Sequence, residues 1–182
     1  MISRQQACAG LIAAIYEDAV QIPAVIVQEI TARGISCSLN TEVCRQVFSA
    51  EWFFARAVWL EVKAPGISDP ELQQTFRAEI DSAVAQVLQF VPDLVDLGEP
   101  YFTMATMFEE GRRDPSGLRY GPGPFIVERY RKHVAAIRRE FNLERLTIPD
   151  EEALAIMLLG DSVCWQLNGE LEGTLTEMLN AS

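Results

Sequence analysis

The sequence predicts an all-α fold, a single-domain bundle of about six to eight helices with one long Gly/Pro/Arg loop at residues 111–124. Three observations carry that prediction. Every strong apolar periodicity is near 3.6 residues rather than 2. Helix-start signals recur along the chain, and no hairpin signal interrupts them. Apolar residues make up 49% and charged residues 23% of 182 positions, a globular composition with enough chain to bury a core.

The elements follow in order. Ser3 followed by Gln6 has the form of a capping box and predicts a first helix to about Val20. Pro23 suits the first turn of a second, short helix closed by Gly34. Asn40 or Thr41 opens a helix to Lys63, stopped by Pro65-Gly66. Asp69-Pro70-Glu71 is the clearest start in the chain: an acidic cap, proline in the first turn, and an acid near the positive helix end. Its stripe Leu72, Phe76, Ile80, Ala83, Val84, Val87, Leu88 and Val91 keeps helical spacing up to Pro92. Short helices are expected at 93–97 and 100–110, then the loop, whose glycines and prolines forbid a regular element. A helix from Pro124 to Leu143 turns Ile126, Val127, Tyr130, Val134, Ile137 and Phe141 to one face. The last helical region starts after Pro149 and reaches Met178, with a break or bend expected near Gly169 and Gly173.

Charge is distributed unevenly. The net charge is −11 and the pI about 4.5, yet nine of the fifteen Lys and Arg fall between Gly111 and Arg145. The acidic balance disfavours nucleic acid and anionic membranes as partners. The basic segment reads either as an internal clasp for the acidic C-terminal helix or as a docking surface. Arg112, Arg113 and Arg119 stand in the loop; Arg131, Lys132, Arg138 and Arg139 share the solvent side of the helix that follows. Arginines so placed can form bidentate contacts with carboxylate or phosphate, which makes these seven residues candidate partner-binding positions.

Several chemistries are disfavoured. Cys8, Cys37, Cys44 and Cys164 are scattered with no CxxC, His133 is the sole histidine, and no zinc or di-iron motif is present. Nucleotide-binding GxGxxG and Walker patterns are missing, as is a Gly-x-Ser-x-Gly elbow. No cofactor is expected. His133 reads as a structural residue at the edge of an apolar arc, and the paired acids Glu17-Asp18 and Asp150-Glu151-Glu152 as solvated helix ends. With no secretion signal and no uninterrupted apolar run of membrane length, a reduced, cytoplasmic setting is expected.

One carboxylate stands apart. On the helix to Lys63, Glu51 projects from near the middle of an arc of Cys44, Val47, Phe48, Phe54, Ala55, Val58 and Val62. A buried carboxylate must be paired, protonated, or lining a cavity. Glu51, Phe48, Trp52 and Phe54 are therefore the candidate pocket residues. Protein–protein interaction as an adaptor, a regulator, or an inhibitor or immunity-type partner is the leading functional expectation. A small-molecule-binding or enzymatic bundle built around Glu51 is the alternative.

Overall fold

The computed structural model describes residues 4–63, 67, 69–90, 123–144 and 146–180. Among them are five α-helices, one 3-10 turn and no strand. The helices are α1 (Arg4–Ala32), α2 (Glu42–Lys63), α3 (Pro70–Phe90), α4 (Gly123–Glu140) and α5 (Asp150–Asn180), with the 3-10 turn at Ser38–Asn40. The expected short helices at 93–97 and 100–110, and the loop with Arg112, Arg113 and Arg119, lie outside the described residues.

The first two expected helices are one. Pro23 lies inside α1, where it removes the amide donor that would reach the carbonyl of Ala19. A buried stripe runs across it without a break: Cys8, Leu11, Ile12, Ile15, Ala19, Ile22, Ile26 and Ile30. Apolar burial on both sides of the proline outweighs its cost of about 3 kcal/mol. The helix then stops where expected, at Gly34, whose φ of 75° suits a residue without a Cβ. Gly34 N donates to Thr31 O at 2.9 Å and Ile35 N to Ile30 O at 3.3 Å, the paired bonds of a Schellman ending.

Gln6–Ala32 is also long and apolar enough to cross a membrane by length and composition, with a mean hydropathy of 1.5 over an 18-residue stretch of it. Glu17 and Asp18 interrupt its apolar run, as expected, and a core helix shares this length and composition. Here the buried stripe of this helix packs on α2, α3 and α5.

The central helix is α2, which packs against α1, α3 and α4 and the 3-10 turn. Every residue from Ala50 to Ala57 is buried, polar Glu51 and Arg56 included. In α3 the Asp69 carboxylate accepts from Glu71 N at 3.0 Å and Leu72 N at 3.2 Å, so the expected cap is formed. Leu72, Phe76, Ile80 and Val87 face the core. In α4 the buried face is Ile126, Val127, Tyr130, Val134 and Ile137, while Phe141 lies past its end and is exposed. The last helix, α5, runs unbroken through Gly169 and Gly173, so the break expected there does not occur. Nothing lies near where their β-carbons would be, and without proline the local preference of glycine is too small to break a helix.

Candidate functional site

Among the described residues three polar clusters tie the helices together, and an open groove lies between two of the helices. Glu51 is fully buried and is held by α4. Arg129 Nε donates to its Oε2 at 2.5 Å and Arg129 Nη2 to its Oε1 at 2.8 Å, a forked contact. His133 Nε2 lies 2.9 Å from Oε1. A carboxylate only accepts, so Nε2 carries the hydrogen. Arg129 and His133 are one turn apart on α4, which lets both reach the same carboxylate. Phe48, Trp52 and Phe54 are buried around it, with Phe48 edge-on to Tyr130 at 5.3 Å. With both oxygens engaged, Glu51 has little capacity left for a ligand.

A second cluster centres on Glu152, which is 1% exposed. Its Oε1 accepts from Ser38 N at 2.7 Å and from Ser38 Oγ at 2.5 Å, and Ser38 Oγ accepts in turn from Tyr130 Oη at 2.8 Å. Burial pushes the Glu152 carboxyl above its ordinary range, against the opposing effect of the Ser38 and Cys37 donors. Burial likewise raises Tyr130 and Cys44, and pushes the Cys37 thiol up to about 11. Protonated, buried thiols are poor nucleophiles, so this network is a clamp between the 3-10 turn, α4 and α5 rather than a reactive centre. The reading of Asp150-Glu151-Glu152 as solvated is thus wrong for Glu152. The signal was available: Glu152 is one turn before buried Ala155 and Ile156 and shares their face.

Asp18 departs from the same expectation. It accepts from the fully buried Arg56 of α2 at 3.2 Å. Burial raises its pKa, Arg56 opposes the shift, and Glu170 and Glu17 add to it.

The basic face of α4 is exposed, with local contacts. Arg131 pairs with Asp150 at 2.5 Å and Lys132 with Glu128 at 3.2 Å. Arg139 Nε donates to Ala135 O at 3.2 Å, and Arg138 is exposed. Among the described residues no group of three His, Cys, Asp or Glu side chains could hold a metal.

The groove was not foreseen. It encloses about 340 Å³ between α1 and α3, over the ring of Phe53. Ala9, Ile12, Ala13 and Tyr16 form one wall, and Ala83, Gln86 and Val87 the other; Glu17 and Glu79 stand at it as well. Tyr16 meets Phe53 edge-on at 6.5 Å and is itself half exposed. Small residues on both helices keep the cleft open, while Ile12, Phe53 and Val87 make its floor apolar. The chain matches no protein family, and comparison with curated proteins and with solved structures gives no significant match.

Proposed function

We propose that this protein works by protein–protein interaction, as an adaptor, regulator or inhibitor, with the α1/α3 groove as its docking surface. The observation that carries this reading is a second apolar stripe on α1. Ala9, Ala13, Tyr16, Val20 and Ala24 are all exposed and recur at helical spacing, so they form one line along the outside of the helix. That line begins in the groove and continues beyond it. An exposed, contiguous apolar surface with a polar margin is the usual mark of a binding face. The basic face of α4 is the second candidate surface, for an acidic partner.

The alternative is a small-molecule site, favoured by the groove's volume, which is at the lower end of the roughly 300–1,000 Å³ of ligand pockets. The saturated pairing of Glu51 gives less support to a ligand anchored there.

Quantitative capture from native lysate separates these readings when wild type is run beside Ala13→Trp, which fills the groove from an exposed position. A protein captured by wild type and lost from the variant, at equal melting temperature, supports docking in the groove. Identical capture by both proteins contradicts it.

A further inference from the structure

The partner's chemistry can be narrowed from charge and shape, on the footing that the groove is a docking surface. Helices α1 and α3 carry six acids (Glu17, Asp18, Glu29, Glu71, Glu79 and Asp81) against two bases, Arg4 and Arg77. The local balance is therefore −4. Glu17 and Glu79 line the groove itself, and among the described residues no Lys or Arg lines it.

Shape gives the rest. The groove walls, Ala9–Glu17 and Glu79–Val87, are each about 12 Å long at 1.5 Å per residue, and the apolar line from Ala9 to Ala24 is about 22 Å. A small molecule would cover the groove and leave Val20 and Ala24 bare. A helix of about four turns covers the whole line and drops apolar side chains at i and i+3 or i+4 into the groove. Alanines at positions 9, 13 and 83 leave room for such close approach.

We infer that the α1/α3 groove receives a cationic amphipathic helix from a separate protein, its apolar face on Ala9–Ala24 and its Lys or Arg residues beside Glu17 and Glu79. The acidic rim steers and orients, and the apolar line supplies most of the affinity. A zwitterionic bilayer would match the apolar line but not the acidic rim. A second copy of this acidic chain would have to overcome a net charge of −11 on each partner.

The test uses the full chain and three synthetic peptides of about 16 residues, long enough to span the line as a helix. One is an amphipathic Leu/Lys helix, one the same with Glu for Lys, and one a shuffled Leu/Lys sequence without an apolar face. The Leu/Lys helix should bind, more weakly at higher salt. Its affinity should fall at least about tenfold in Ala13→Trp, and by a similar factor in the Glu17→Lys, Glu79→Lys double variant. Each variant is checked for an unchanged melt, and Ala9→Trp is a second groove filler.

Equal binding of the Leu/Glu or shuffled peptide overturns the inference, as does binding that Ala13→Trp leaves intact. If none of the peptides binds while capture from lysate still depends on the groove, the cationic helix is wrong and the docking surface stands. Self-association abolished by Ala13→Trp would put a second copy in the groove, and vesicle binding abolished by Val20→Asp a membrane. Either result also overturns the inference.

Discussion

The guanidinium of Arg129 on α4 clasps both oxygens of Glu51 on α2, joining residues 78 positions apart. Glu51 is wholly buried and Arg129 nearly so. Such a pair gains less than its Coulomb energy because both charges lose water, but breaking it by removing one partner leaves a charge uncompensated. It fixes how α4 meets the central helix, with His133 as a third member.

Glu51→Gln should therefore cost about 3 kcal/mol in denaturant melts at neutral pH. The Glu51→Met, Arg129→Met double variant should lose less than the sum of its two single variants, because neither charge is then stranded. Additive losses would mean that the two residues do not interact.

Glu152 makes a pH prediction whose sign is fixed by burial. Its carboxyl titrates above the ordinary 4.5 in the folded protein, so the native state holds the proton more tightly than the unfolded chain. The stability this contributes is present in full below the unfolded pKa and is lost as pH rises through the folded one. Gln keeps the acceptor for Ser38 and does not ionise. The stability of Glu152→Gln relative to wild type should accordingly rise from acid to neutral pH. A constant difference across that range would show that Glu152 is solvated.

Glycine substitutions probe the helices. Gly10, Gly169 and Gly173 face open space, and alanine at each should stabilise by about 0.5–1 kcal/mol. Gly34→Ala should instead destabilise, since φ there is 75°. A destabilising Gly169→Ala or Gly173→Ala would mean that α5 is bent, as its sequence alone suggests.

How much of this could be read beforehand depended on whether the signal was local. The α3 cap at Asp69 and its stripe are local, and both hold. Glu51 was conspicuous because it interrupts an apolar arc, but nothing in the sequence selected Arg129 from so many arginines. Pro23 misled because a proline in a first turn and a proline tolerated inside a buried helix look alike until the far side of the stripe is seen packing. Glu152 was hidden by its neighbours Asp150 and Glu151, whose helix-end positions explain three acids equally well. The groove was not legible at all. It depends on α3 lying beside one face of α1, a long-range arrangement that no local pattern in either helix reports.

The exposed ion pairs of α4 should matter little to folding. Reversing Arg131 or Lys132 to Glu should shift stability by no more than about 1 kcal/mol each, because the Asp150 and Glu128 pairs are solvent-screened. Thermal melts at low and high salt check this. A larger loss would mean that these pairs clamp α4 in place.

Amide chemical-shift mapping with the Leu/Lys amphipathic peptide tests the docking surface most directly, since it reports where a partner helix sits. Shifts should concentrate on Ala9–Ala24 of α1 and Glu79–Val87 of α3, and should vanish in Ala13→Trp. Shifts centred on the basic face of α4, or spread evenly over the acidic surface, would contradict the assignment of the groove.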